Sequence, residues 1–301
     1  MGRFLKVLLG IIVLITGVWY FLIKDEHYQI TFSSKQPPGV IYNHIMGWNK
    51  YATRDIDSVS IKSLNPYAEI EQEVHIGDSL FSYRWEFEKN ASGNTEVSVG
   101  IKDLNNGIVQ KLQAPFSSND FVKRSIKSVK DVGSELNILT KKFKVHSIKD
   151  TLIVGDFCAY IPLESNANMK ARTMLYNITT IMGYINENEI TLKGDPFLEV
   201  TNWNRETNTI KYNFCFPIEK KENLPYSSEI KFKTTESFKG LKAEFNGNYS
   251  ISNNAWFYLM DYANSNGLNV KKEPVEFYLD DPHIGGDPIL WKALILLPLE
   301  D

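Results

Sequence analysis

The sequence predicts an α+β protein in three parts: an apolar N-terminal helix, a domain of strands closed by one long helix, and a duplicated domain. The duplication is the strongest of these signals, because residues 182–196 return as residues 260–274 at a constant offset of 78 positions. Six of these positions are identical, and Met182 corresponds to Met260. A fixed offset marks a repeated structural unit. We therefore expect the last domain to contain two similar halves, with its most informative surface where they meet.

The N-terminal segment predicts a membrane anchor. Residues 7–23 carry no charge, and with Phe4 and Leu5 the apolar segment reaches the roughly 20 residues that cross a bilayer. The segment ends in bulky aromatic residues rather than the small residues that precede a signal-peptide cleavage site. Arg3 and Lys6 on the N-terminal flank place that end in the cytoplasm. The sequence thus predicts an uncleaved, single-pass anchor through residues 4–23 of the cytoplasmic (inner) membrane, with all later domains outside.

Composition narrows the possible partners and chemistry. A net charge of −3 and a pI near 6.0 argue against a nucleic-acid partner, which requires a concentrated basic face. Cys158 and Cys215 lie within apolar runs, which favours free buried thiols and leaves a disulfide as the alternative.

No catalytic, cofactor or metal site is predicted. The chain has no phosphate-binding glycine loop and no nucleophile-elbow motif. Its histidines are isolated, without the spacing of metal ligands: they are His27, His44, His75, His146 and His283.

The first globular domain, predicted at residues 27–146 after an anchor at 1–26, is a sheet closed by a helix. Alternating and apolar segments bounded by turn residues predict a series of strands, at 28–33, 58–64, 68–76, 80–88, 95–103 and 107–114, with short helices before residue 50. Asp120 and the two residues before it cap a long helix that is predicted to reach residue 144. Its apolar residues recur at helical spacing and form one stripe.

This element order, together with the run Tyr83-Arg84-Trp85-Glu86-Phe87 before a turn and a strand, resembles the START-like (SRPBCC) superfamily. The resemblance implies a helix-grip fold whose last helix covers an apolar cavity. Ile126, Val129, Val132 and Leu136 would then form the cavity wall, and simple packing on the sheet is the alternative.

The duplicated domain is predicted at residues 147–301, with halves at about 147–225 and 226–301. Each half is expected to fold as strand, helix, strand, strand. The predicted elements are 152–163, 169–187, 197–203 and 209–217 in the first half, and 240–245, 252–265, 275–279 and 289–299 in the second.

Several motifs in this domain resemble the GyrI-like family, the effector-binding domain also found in AraC-type and MerR-type regulators. They are Phe245-Asn246-Gly247-Asn248-Tyr249, the segment 256–262, Gly267, the segment from Glu273-Pro274 to Pro282, and the segment 291–299. The resemblance implies two βαββ units with a concave pocket at their junction. Members of the family bind lipophilic, often cationic, small molecules; some are proposed hydrolases, and some bind and inhibit proteins.

The resemblance also locates a departure from the family. Leu294 stands where relatives have the glutamate at the polar centre of the pocket, and a leucine can neither attract a cation nor transfer a proton. We therefore expect a neutral apolar ligand and no preference for lipophilic cations. Glu199 and Glu244 are the acids that could replace the missing carboxylate.

The ligand-binding residues that the resemblance implies are Trp203, Tyr249, Trp256, Tyr278 and Leu294. Aromatic side chains supply contact area in such pockets, and packing in the core is the alternative role. The sequence thus predicts a membrane-anchored, non-catalytic protein that binds or senses an apolar small molecule. A pocket hydrolase, or a protein-interaction module with a vestigial pocket, is the alternative.

Overall fold

The computed structural model describes residues 2–20, 24–114, 116, 118–221 and 223–300. The chain divides into two compact units, Met1–Leu136 and Asn137–Asp301. The domain boundary placed by sequence at residues 146 and 147 stays a prediction.

Helix α1, Gly2–Val18, carries the apolar N-terminal sequence, and its apolar side chains are exposed. Among the described residues, no helix is both long enough and apolar enough to cross a membrane. The predicted anchor is therefore unsupported in this part of the chain, and its residues 21–23 lie outside the described residues. The predicted cellular location stays a prediction.

In its described residues, the first unit is an antiparallel sheet with three α-helices after α1. In chain order the elements are β1 (Tyr28–Ser34), α2 (Pro38–Met46), β2 (Ser58–Asn65), β3 (Glu69–Ile76), β4 (Ser79–Lys89), β5 (Thr95–Asp103), α3 (Gly107–Gln113) and α4 (Asp120–Thr140). The strand order is β1-β5-β4-β3-β2.

The predicted strand at 107–114 is wrong, because α3 occupies these residues. Ile108 and Leu112 are four residues apart, which is helical spacing rather than the alternation of a strand.

The core of the first unit lies between its sheet and α4. Val129, Val132 and Leu136 of the helix are buried in one cluster with Trp48 and Trp85. A small cavity of about 100 Å³ lies beside this cluster and is lined by Trp48 and Val132. Kinship with the START-like superfamily stays a prediction.

The described part of the second unit contains nine strands and two α-helices. In chain order they are β6 (Phe143–Val145), β7 (Lys149–Ile153), β8 (Phe157–Asn166), α5 (Lys170–Glu187), β9 (Phe197–Asn204), β10 (Thr209–Pro217), β11 (Lys231–Thr234), β12 (Phe238–Gly247), α6 (Asn254–Ser265), β13 (Val275–Tyr278) and β14 (Lys292–Pro298). The sheet order is β11-β8-β10-β9-β13-β14-β12-β6, and β7 also pairs with β12.

This sheet is symmetric about its central pair, β9 and β13. Moving outward from that pair, β10 matches β14 and β8 matches β12, as the sequence repeat predicts. Leu198 lies opposite Glu276 in the β9–β13 ladder, and these residues are separated by the repeat offset of 78. A pseudo-twofold axis therefore passes between them, and we call this central pair of strands the seam.

Backbone details repeat as well. Glu189 and Gly267 both follow a helix with a positive φ, 50° and 65°, where the chain reverses into the next strand. In the first half this left-handed conformation falls on a glutamate, which lacks the freedom of glycine.

Both helices cover one face of the sheet. The buried residues of α5 are spaced along one side of the helix, as at Met174, Ile181 and Ile185. Trp256 and Leu259 of α6 enter the same core. Among the described residues of this unit, neither helix covers the opposite face of the seam.

Candidate functional site

Strand alternation gives the seam two different faces. Successive side chains point to opposite sides of a strand, so Leu198 and Glu276 face the helices. Phe197, Val275 and Phe277 face the other side, where Phe197 and Val275 belong to a separate apolar cluster.

A cavity of about 680 Å³ lies over the seam on the face without helices. The rings of Phe197 and Phe277 stack in its floor, with centroids 4.9 Å apart and planes at 26°. The other apolar lining residues are Ile153, Val154, Val200, Pro217, Phe238, Val275 and Pro298. Stacked rings in a concave floor provide the flat contact surface that ring-containing ligands need.

One wall of the cavity consists of two loops held together by hydrogen bonds. Thr235 donates its backbone N–H to the carbonyl of Asp156 at 2.9 Å, and Asp156 donates its own to Thr235 Oγ1 at 3.0 Å. Gly155 allows this approach, because a Cβ there would lie 1.9 Å from the Thr235 carbonyl oxygen. These contacts hold the two loops of the wall in a defined position.

The charged residues around the cavity are mostly acidic. They are Asp156, Asp195, Glu199, Glu236 and Glu273 on the acidic side, and Lys233 and Lys271 on the basic side. A concave surface lined mainly by one sign of charge concentrates ions of the opposite sign.

Lys233 and Glu199 form an ion pair within this cavity. Lys233 extends from β11 across the sheet, its Nζ 5.2 Å from the centroid of the Tyr160 ring. Glu199 also accepts a hydrogen bond from Asn213 Nδ2 at 2.9 Å. Burial lowers the pKa of Lys233, but the hydrogen bond to Glu199 and the charge of that carboxylate outweigh it and raise the pKa above the usual value.

Residues 169–300 match the GyrI-like small molecule binding domain. These residues are a GyrI-like domain. Comparison with curated protein sequences gave no match.

The GyrI-like domain also has solved structural neighbours. EcmrR in complex with DNA is 18% identical, with a TM-score of 0.44 over 64% of this chain and 76% of that chain. SAV2435 bound to tetraphenylphosphonium is 12% identical, with a TM-score of 0.36 over 52% of this chain and 94% of that chain. A hydrolase from Listeria innocua is 14% identical, with a TM-score of 0.32 over 50% of this chain and 92% of that chain. Similarity at this level assigns no ligand, partner or activity to this chain.

The helix-covered face of the GyrI-like domain holds a second, fully buried ion pair. Lys170 Nζ lies 3.5 Å from Glu276 Oε2, and both side chains are inaccessible to solvent. The ammonium also donates to the carbonyl of Tyr249 and to Ser252 Oγ, each at 2.8 Å. Ser252 and Tyr278 hydroxyls lie 2.7 and 2.8 Å from Glu276 Oε2.

This buried pair joins the two halves of the GyrI-like domain. Lys170 begins α5 of the first half, whereas Glu276 belongs to β13 of the second. Burial lowers the pKa of Lys170, and Glu276 acts in the opposite direction. Because both side chains are inaccessible to solvent, the pair is a contact between the two halves within the core.

Four of the five residues predicted to bind ligand lie on the helix-covered face. Trp256 is fully buried, and Trp203 packs against it with ring centroids 5.0 Å apart. Tyr249 and Tyr278 are buried, with ring centroids 4.8 Å apart. These aromatic residues lie together in or against the core.

Leu294 lies on the other face. It is the cross-strand neighbour of Phe277, whose ring lines the cavity. None of the five predicted residues is among the described residues that line the cavity, and their role in binding stays a prediction.

Sequence reasoning named one carboxylate of the cavity, Glu199, and missed its partner. Glu244, the other acid considered, lies on β12 and is not among the lining residues. Lys233 gave no signal because it belongs to an edge strand three positions away from β9 in the sheet. Glu276 could have been noticed in the sequence, because the repeat places this charged residue at the position of the apolar Leu198.

Cys158 and Cys215 are free and buried, in the same apolar cluster as Phe197 and Val275. A hydrogen bond with the Cys215 thiol lowers the pKa of Cys158, and burial raises the pKa of Cys215. Within the described ranges, no group of three or more His, Cys, Asp or Glu side chains is placed to hold a metal ion.

Proposed function

We propose that this protein binds an apolar small molecule in the cavity over the seam of its GyrI-like domain. The cavity carries this proposal: its volume of about 680 Å³ falls in the range of roughly 300–1,000 Å³ typical of small-molecule sites. The domain match to a small molecule binding family supports it.

The stacked Phe197 and Phe277 rings favour a ligand that contains a planar ring. Burial of such a ring on an aromatic floor removes apolar area from water and adds a stacking contribution of about 0.5–1.5 kcal/mol.

Native mass spectrometry of the full chain tests the proposal. We expect either a retained small molecule or uptake of one equivalent from a panel of ring-containing lipophiles. An apo mass that stays bare with the whole panel would contradict the proposal.

The variant Phe277→Ala tests whether the ligand binds in this cavity. The substitution removes one of the two stacked rings, and we expect affinity for a bound panel member to fall about tenfold, a loss of about 1.4 kcal/mol. Tyr226→Ala is the matched control, because Tyr226 is 92% exposed and is not among the lining residues. Thermal unfolding of both variants checks that the fold is intact.

A further inference from the structure

The Lys233–Glu199 ion pair affects which ligand charge the cavity can accept. The cavity presents five carboxylates, yet the one at the seam already holds a cation from the same chain. Any cationic ligand that approaches Glu199 must compete with that ammonium.

We propose that Lys233 is a displaceable internal cation that occupies Glu199 and suppresses selection of cationic ligands by this cavity. The inference rests on the proposed function, since it concerns the ligand class of the same site. It makes Lys233 the residue that determines charge selectivity.

The position of Lys233 makes displacement feasible. Its strand β11 is a four-residue edge strand, paired only with β8 among the described strands. The side chains of Lys233 and Glu199 remain 23% and 26% exposed, so the ammonium can leave to solvent without crossing the core. The flexible four-carbon side chain of a lysine can rotate outward, and its ammonium is strongly hydrated once it reaches water.

Glu199 would remain in place when Lys233 leaves. Its carboxylate is held by Asn213 on the neighbouring strand. Its backbone lies in the centre of the sheet, opposite Val275. The vacated carboxylate would therefore line the same cavity as the stacked Phe197 and Phe277 rings, two residues along β9 from Phe197. A lipophilic cation would there have both a carboxylate and an apolar surface to contact.

The test compares a cation with a neutral molecule of nearly the same shape. Methyltriphenylphosphonium and triphenylphosphine oxide differ chiefly in charge, and titration calorimetry of the full chain gives both affinities. For the unmodified protein we expect the two affinities to agree within about threefold. For Lys233→Gln we expect the phosphonium to bind about tenfold more tightly, with the oxide changed less than threefold.

Two further variants separate displacement from general electrostatics. Lys231→Gln removes the same charge from the same strand two residues away, outside the cavity lining, and should behave like the unmodified protein. In Lys233→Gln combined with Glu199→Gln, the gain for the phosphonium should disappear.

Equal tightening of both probes, or an equal gain in Lys231→Gln, would overturn this inference and leave the proposed function standing. If no variant binds either probe although native mass spectrometry shows a retained ligand, this inference fails alone. If neither experiment shows any ligand, both fail together.

Discussion

The two faces of the seam carry the same chemical pair in different surroundings. Lys170 and Glu276, on the helix-covered face, are inaccessible to solvent and joined by additional hydrogen bonds. Lys233 and Glu199, on the open face, are about one quarter exposed. Burial decides what each pair can do, because a fully buried charge cannot lose its partner without a large cost, whereas a partly solvated charge can. We therefore expect the first pair to be structural and the second to be available to a ligand.

Removal of the buried lysine should have the largest effect on stability. Lys170→Ala leaves the Glu276 carboxylate buried without a counter-ion, and we expect the free energy of unfolding to fall by about 3–5 kcal/mol. Chemical denaturation followed by tryptophan fluorescence measures this loss. The paired replacement Lys170→Met with Glu276→Leu should recover most of it, because neither charge then remains. A loss below about 1 kcal/mol in Lys170→Ala would contradict the structural role.

The first unit also holds a buried titratable side chain, that of His44. In the first unit, His44 stacks on Tyr51 and its Nε2 lies 3.2 Å from the Val132 carbonyl oxygen. Burial lowers the pKa of His44 to about 4, from the usual 6.5. The native state therefore binds fewer protons than the unfolded state between these values, so stability is fully present above pH 6.5 and is lost as pH falls toward 4.

The size of this loss follows from the shift in pKa. About 2.5 pH units correspond to about 3 kcal/mol. Since carboxylates also titrate in this range, the measurement is the difference in pH-dependent unfolding between the unmodified protein and His44→Gln. The variant should have a flatter profile between pH 6.5 and 4. Parallel profiles would contradict this prediction, because they would show that folding leaves the pKa of His44 unchanged.

The open pair should contribute least to stability. Lys233→Ala is expected to change the free energy of unfolding by less than about 1 kcal/mol, because partly solvated ion pairs contribute little. The same denaturation measurement used for Lys170→Ala provides the direct contrast. A loss as large as that of Lys170→Ala would make Lys233 a structural residue and remove the distinction between the two faces.

The sequence anticipated the architecture of the second unit well. The repeat offset placed two βαββ halves side by side, and most of the helices and strands follow the predicted segments. The predicted strand at 152–163 is divided between β7 and β8, and the short strands β6 and β11 were not predicted. Hydrophobic periodicity is a local property, and local patterns decide such elements. The same reasoning failed at residues 107–114, where a short apolar segment was compatible with either strand or helix.

The cavity proposed as the site was harder to predict, because its lining depends on which face each residue occupies. Tyr249, Trp256 and Tyr278 have the residue types of a binding pocket, yet alternation and helix packing bury them with the core. The pairing of Lys233 with Glu199 depends on the strand order β11-β8-β10-β9, which brings together residues 34 positions apart. No local pattern contains that information.

The position of a bound ligand would test the central claim most directly. A crystal structure of the protein with a brominated triphenylphosphine oxide would locate the molecule through the anomalous signal of bromine. We predict the signal over the stacked rings of Phe197 and Phe277, on the open face of the seam. A signal among Trp203, Tyr249, Trp256 and Tyr278, on the helix-covered face, would contradict this account and place the site where the family resemblance suggested.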